Sequence, residues 1–321
     1  MEGTALLHYL VIGLLLFTST LPMVSAQVVP RSGKQGTTAY PPRMEGARTE
    51  VYKTIGDVRL NMYIFNPRNH APTDRSPAIV FFFGGGWNSG SPKQFEPQCR
   101  YLAERGMVAM AADYRVASRH QVKAVDCVRD AKSALRWVRS HAARLGIDPN
   151  RIAAGGGSAG GHLAAAIAAI EKFDESTEDA STSSVPNALV LFNPALVLAP
   201  TAGAPLGKVP DLSERMGVEA MQLSPFHQIK AGMPPTIIFH GKADTTVPYA
   251  TAELFTEAMK KAGNRCELYG YEAETHGFFN FGRGGNKAFL ETLKQADRFL
   301  ASLGYLKGNP TVDTHTWQLS P

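Results

Sequence analysis

The sequence predicts an α/β domain: a mostly parallel, doubly wound sheet with a small cap. Three observations carry this. Short apolar runs alternate with amphipathic stretches along most of the chain, which is the signature of strands joined by crossover helices. Two of the runs, AIVFFF (78–83) and MVAMAA (107–112), are apolar at every position, as strands covered on both faces should be. A third, RIAAG (151–155), passes through a glycine-rich turn straight into an alanine-rich segment.

In chain order, VYKTI and RLNMYIF flank Gly56-Asp57 and predict a hairpin. AIVFFF follows, then a helix over 94–105 and the strand MVAMAA. Val125, Val128, Ala131, Leu135 and Val138 share one face of a long helix over 122–145, with Gly146 and Pro149 just past its end. RIAAG leads into a helix over 160–170, and DESTEDASTSSVPN (174–187) is a polar loop before the strand ALVLF (188–192). Residues 194–232 hold many Pro and Gly and read as a short cap insertion. TIIFH (236–240), a helix over 250–262, a strand over 267–271 and a helix over 286–303 complete a domain spanning 50–304. Residues 27–49 form an irregular lead-in, and the tail over 305–321 shows no period.

LLHYLVIGLLLF (6–17) is uncharged and ends near Val24-Ser25-Ala26. It predicts a signal peptide over 1–26, cleaved after Ala26, and a secreted or periplasmic protein. An uncleaved anchor is the alternative, although the run is short against the about 20 residues of a bilayer span. No stable membrane insertion is expected after cleavage. In an oxidising compartment Cys99 and Cys127, on neighbouring predicted helices, are candidates for a disulfide. Three buried free thiols are the alternative, and Cys266 is left odd. The net charge of +5 is spread along the chain without a Lys/Arg run, which argues against nucleic acid. No metal-ligand spacing, phosphate loop or dinucleotide fingerprint is present, so no cofactor is expected.

The chemistry centres on GGGSAGG. Gly156-Gly157-Ser158-Ala159-Gly160 has G-x-S-x-G spacing between a strand and a helix, the context of a nucleophile elbow. Such a turn lifts the serine hydroxyl above the carboxyl end of the sheet. Backbone N–H groups are then needed where negative charge develops. Ala159, just after the serine, supplies one, and Gly84-Gly85-Gly86 at the end of AIVFFF supply others. Trp87, next in line, is a candidate substrate contact or packing residue. Asp244 and His276 each follow a predicted strand, in the order Ser, Asp, His that this chemistry uses on an open sheet. Of the other candidates, His240 lies within a strand and reads as a core histidine, and His162 packs or caps. His227 and Asp211 fall in the cap, where His227 could touch substrate; Asp126 and Asp130 read as solvated or salt-bridged.

Together FGGGW, GGGSAGGHLA, HGKADTTVP and ETHGFFNFG resemble the α/β-hydrolase superfamily over about Val51 to Leu303. The nearest likeness is to secreted bacterial esterase/lipase proteins of the hormone-sensitive-lipase-like and feruloyl/acetyl-esterase-like (BD-FAE-like) groups. The resemblance implies an α/β-hydrolase fold and a Ser158-Asp244-His276 triad. It implies Gly85, Gly86 and Ala159 as oxyanion donors beside Gly84, and short or aromatic acyl esters as substrates, including acetylated or feruloylated polysaccharide. Asp113–Arg115 (DYR) also resembles those relatives and is expected to shape a loop. One departure is Phe83, where relatives carry histidine; loop rigidity is then expected from packing by Phe83 or Trp87. Two alternatives remain: a serine peptidase of prolyl-oligopeptidase type, whose catalytic domains the last two motifs also resemble, and a silent binding module on the same fold.

Overall fold

A computed structural model describes residues 1–2, 40–203, 205–206 and 212–317. The chain divides into two units, Met1–Thr38 and Ala39–Pro321, and all described residues except Met1 and Glu2 belong to the second. The expected signal segment, but for those two residues, lies outside the described residues, as does Asp211 of the cap.

Among the described residues eight strands form one sheet, in the order β1-β2-β4-β3-β5-β6-β7-β8. They are β1 (Arg48–Ile55), β2 (Val58–Phe65), β3 (Ser76–Phe82), β4 (Val108–Ala112), β5 (Ile147–Gly157), β6 (Ala188–Phe192), β7 (Thr236–Gly241) and β8 (Cys266–Tyr271). β2 is antiparallel to both neighbours, and every pairing from β4 to β8 is parallel. The helices are α1 (Glu96–Glu104), α2 (Ala117–His120), α3 (Ala124–Ser140), α4 (Ala142–Leu145), α5 (Ala159–Ala169), α6 (Leu212–Met216), α7 (Ala220–Leu223), α8 (Tyr249–Lys261) and α9 (Lys287–Ser302).

The two-sided apolar strands divide their side chains between two cores. Ala78, Val80 and Phe82 of β3 point to the core under α3, α5 and α8. Ile79 and Phe81 point to the core under α1 and α9. Alternation along a strand produces this split. Burial on both faces explains why these strands tolerate no polar residue.

The elements match the expected order, with local differences. The long helix breaks at His141 into α3 and α4, and Gly146 then ends α4 in a left-handed conformation at φ 64°. The described cap carries only the short helices α6 and α7 and a 3₁₀ turn. The lead-in and tail, unpatterned in sequence, pack onto the domain where they are described. Met44 and Val312 are buried in the α1/α9 core, Thr311 N–H donates to Tyr101 Oη at 3.1 Å, and the Trp317 ring lies 4.8 Å from that of Phe289.

The Cys99–Cys127 disulfide does not form. All three cysteines are free and buried. Cys99 lies in the α1/α9 core and Cys127 in the α3/α5/α8 core, so the sheet stands between them. A disulfide needs Cα atoms within about 7 Å. Among the described residues no helix is long and apolar enough to cross a membrane.

Candidate active site

β5 runs to Gly157, and Ser158 stands between it and α5 with φ 54° and ψ −118°. This is strained backbone for a residue with a Cβ. It persists because its neighbours fix it. Ser158 N–H donates to Phe192 O at 2.9 Å, and Ser158 O accepts from His162 N–H at 2.9 Å. The glycine at 160 is a packing requirement, since a Cβ there would overlap the carbonyl oxygens of Phe82 and Phe83.

β7 and β8 deliver the partners. His276 Nε2 lies 2.9 Å from Ser158 Oγ, and its Nδ1 lies 2.7 Å from Asp244 Oδ2. Nδ1 next to a carboxylate must carry the proton, which leaves Nε2 as the acceptor for the serine O–H. Asp244 Oδ1 accepts the N–H groups of Thr246 at 2.8 Å and Val247 at 2.9 Å. Burial pushes the Asp244 carboxyl up, but hydrogen bonds from His240, His276 and Val247 outweigh it and hold the group well below the usual carboxylate range. The structure thus brings together all three residues named from the motifs.

The glycine loop after β3 needs one revision. Gly84 N–H donates to Gln94 Oε1 at 2.6 Å, so it is not free to face an oxyanion. The amides of Gly85, Gly86 and Ala159 have no acceptor among the described residues. Gly85 has φ 132°, and a Cβ on it would run into Ser89 O, so only glycine fits there.

The rigidity expected of Phe83 is present, and DYR supplies the other half. The Phe83 ring stacks on Tyr114 with centroids 4.0 Å apart, and Tyr114 O–H donates to Phe83 O at 2.7 Å. Arg115 and Lys53 pair with the fully buried Asp130, each at 2.8 Å, while Asp126 pairs with Arg129 at 2.9 Å.

Trp87 is a correction as a substrate contact. Its side chain is buried in the α3/α5/α8 core, and its indole N–H donates to His162 Nδ1 at 3.1 Å. His162 Nε2 in turn donates to Leu223 O of the cap at 2.8 Å. Burial pushes His162 down to about 4, so the ring stays neutral and its tautomer is set. One buried imidazole therefore ties the glycine loop to the cap. Arg215 of α6 adds a second tie, donating to Gly86 O at 3.3 Å.

His227 stays within the cap, bonded to Thr201 Oγ1 at 3.0 Å and Ser224 Oγ at 2.8 Å. His240 is fully buried with Nε2 donating to Val247 O at 2.8 Å, but its Nδ1 has no partner among the described residues. Sequence reasoning missed Asn193, whose Oδ1 accepts Gly277 N–H at 3.0 Å beside His276. The available signal was a lone amide directly after the apolar run of β6.

Comparison with known proteins agrees with this geometry. The BD-FAE family model matches residues 62–259. The chain belongs to that family. A dienelactone hydrolase family model also matches residues 220–306. A probable isoprenylcysteine alpha-carbonyl methylesterase of Oryza sativa subsp. japonica is 31% identical over 71% of this chain and 56% of its own length. Carboxylesterase NlhH of Mycobacterium tuberculosis is 28% identical over 73% of this chain and 75% of its own. The chain spans about half the length of the first curated relatives it matches. Among solved structures, Thermogutta terrifontis esterase 2 phosphonylated by sarin is 57% identical with a TM-score of 0.83, covering 84% of this chain and 100% of that one. The fold of this BD-FAE member is therefore that of α/β-hydrolase esterases.

Proposed function

We propose that this protein is an exported serine carboxylesterase acting on small esters with short or aromatic acyl groups. One observation carries the reading: a single imidazole lies within hydrogen-bond reach of both the Ser158 hydroxyl and the buried Asp244 carboxylate, beside free loop amides. Ser158 Oγ attacks the ester carbonyl carbon while His276 Nε2 takes its proton. The carbonyl oxygen becomes an oxyanion held by the N–H groups of Gly85, Gly86 and Ala159. Asp244 stabilises the imidazolium. His276 then protonates the leaving oxygen, and alcohol departs from an acyl-serine. Water, losing a proton to His276, attacks that acyl group, and His276 returns the proton to Ser158 Oγ as the acyl–oxygen bond breaks and the acid leaves.

The preference for short acyl chains is supported by relatives. Thermogutta terrifontis esterase 2 has been solved with propionate bound and with butyrate bound. The small cap here, with only the short α6 and α7 described, agrees with a small acyl pocket. Acetyl and feruloyl groups on polysaccharide are the carbohydrate form of the same chemistry. The test is turnover of p-nitrophenyl acetate, butyrate and palmitate, a feruloyl ester and an acetylated glycan by wild type and Ser158→Ala. Equal rates for the two proteins would remove the mechanism, and a palmitate optimum would remove the acyl assignment. Export, proposed from the apolar segment at 6–17, is checked by N-terminal sequencing of secreted protein, which should begin at Gln27.

A further inference from the structure

The amide of Gly84 opens a chain of side-chain hydrogen bonds that the proposed chemistry does not use. Gly84 N–H donates to Gln94 Oε1 at 2.6 Å, and Gln94 Nε2 donates to Asn280 Oδ1 at 2.9 Å. Asn280 Nδ2 donates to Gly277 O at 2.8 Å. One end of the chain is the residue before the two free loop amides, and the other is the residue after His276. The direction is set at both ends, because a peptide N–H only donates and a peptide carbonyl only accepts. Each carboxamide therefore has one orientation that satisfies all three bonds.

We infer that Gln94 and Asn280 are positioning residues that hold the oxyanion loop and the histidine loop in register. This inference rests on the esterase reading above. The loops leave the sheet from β3 and β8, which are separated by β5, β6 and β7. At the usual interstrand spacing that is about 19 Å. The sheet alone does not fix one loop against the other at the precision acyl transfer requires, where misplacement by about 1 Å can cost about a hundredfold in rate. Gln94 stands on the 3₁₀ turn Pro92–Phe95 that leads into α1, and Phe95 beside it is fully buried, so one anchor is rigid. The Gly277 peptide is gripped from its other side as well, by Asn193 Oδ1 on its N–H at 3.0 Å. Arg283 Nη1 donates to His276 O at 3.0 Å. Phe279 packs its ring on Phe95 with centroids 5.8 Å apart, and the Gln94–Asn280 link is the hydrogen-bonded bridge that ties the histidine loop to the glycine loop.

The test uses Gln94→Leu, Asn280→Leu, their double variant and the near-isosteric Gln94→Glu in the full chain, with p-nitrophenyl butyrate as substrate. Gln94→Glu keeps an acceptor for Gly84 but cannot donate to Asn280, so the chain of bonds breaks without a change of shape. Each single variant is expected to lose about tenfold or more in kcat with KM within about twofold. The double variant is expected to fall no more than about twofold below the worse single, because either change breaks the same bridge. Unchanged kcat in Gln94→Glu, or single losses that multiply in the double variant, would overturn the inference. If a leucine variant fails to fold, Gln94→Glu still decides by its kcat. Wild type against Ser158→Ala separates this outcome from failure of the esterase reading itself.

Discussion

His162 offers a measurable test of how the glycine loop is held. Replacing it with methionine removes both bonds of the bridge from Trp87 to Leu223. Both partners are buried, so an indole N–H and a carbonyl lose their partners away from water. At about 1–3 kcal/mol each, the variant should be about 2–6 kcal/mol less stable at pH 7.5. The difference must then shrink on acidification. The folded-state value of His162, depressed by burial to about 4, lies below its ordinary 6.5. The unfolded chain therefore binds a proton between these values while the folded one does not, and stability is lost as pH falls from 6.5 toward 4. Linkage puts the loss at about 2 kcal/mol by pH 5 and about 3 kcal/mol by pH 4. Other titrating groups are common to both proteins and cancel in the difference. Among them is Asp113, which burial raises to about 6 and whose contribution runs in the opposite sense over part of this range. Urea unfolding of wild type and His162→Met at pH 7.5, 6, 5 and 4 gives the comparison directly. A gap that stays constant across that series would show that His162 is not held neutral by the fold.

Gly160→Ala drives a Cβ into the backbone oxygens of Phe82, the last residue of β3, and of Phe83 just past it, which cannot yield; urea unfolding should show a loss of about 3 kcal/mol or more, and a loss under about 1 kcal/mol would contradict the packing. Asp244→Asn keeps the shape but removes the charge facing His276 Nδ1, so kcat/KM on p-nitrophenyl acetate should drop about a thousandfold or more at neutral pH; retention within tenfold would count against the triad. Thiol titration of unfolded, unreduced protein should find three free thiols per chain, and a count of one would mean that two of them had paired against the packing described.

Much of this architecture was legible because burial on two faces leaves a simple trace. AIVFFF, MVAMAA and ALVLF are apolar at every position, and each became a central strand. The serine turn was legible because its geometry excludes most residues other than glycine on either side. The face on which each helix lies was not so visible, and the cysteine pairing failed there. β4 lies on one side of β3 and β5 on the other. The crossover from β3 to β4 and that from β4 to β5 therefore travel in opposite directions. Right-handed connections then place α1 and α3 on opposite faces, so adjacency in the chain becomes separation by the sheet. Gln94 and Asn280 were invisible for a different reason. They are 186 positions apart, and a carboxamide that bonds a distant carboxamide leaves no period or local spacing to read. The tail was missed because it packs through a few isolated contacts, such as Val312 and the Trp317 ring, rather than through a repeating face.

The same site contains three imidazoles, and their surroundings decide which of them can cycle a proton. His162 and His240 are fully buried. His162 has both nitrogens engaged by neutral groups, a donor at Nδ1 and an acceptor at Nε2, so a second proton would have to displace the indole N–H and bring a charge into the core. His240 directs its Nε2 proton mainly to the Val247 carbonyl at 2.8 Å, with Asp244 Oδ2 at 3.4 Å from the same nitrogen, and its buried Nδ1 has no partner among the described residues. That Asp244 Oδ2 is the oxygen already bonded to His276 Nδ1 at 2.7 Å. Only His276 combines a carboxylate at one nitrogen, a hydroxyl at the other and a side chain 26% exposed. In the proposed cycle the charged state, formed when His276 takes a proton from Ser158 or from water, is stabilised by Asp244, and the neutral state is restored by transfer to the leaving oxygen or back to Ser158 Oγ. Histidine as a residue type is therefore no guide to the base in this fold. Buried bonds to their neighbours make His162 and His240 struts, while a close carboxylate, a serine hydroxyl and partial exposure fit His276 for the proton transfers proposed above.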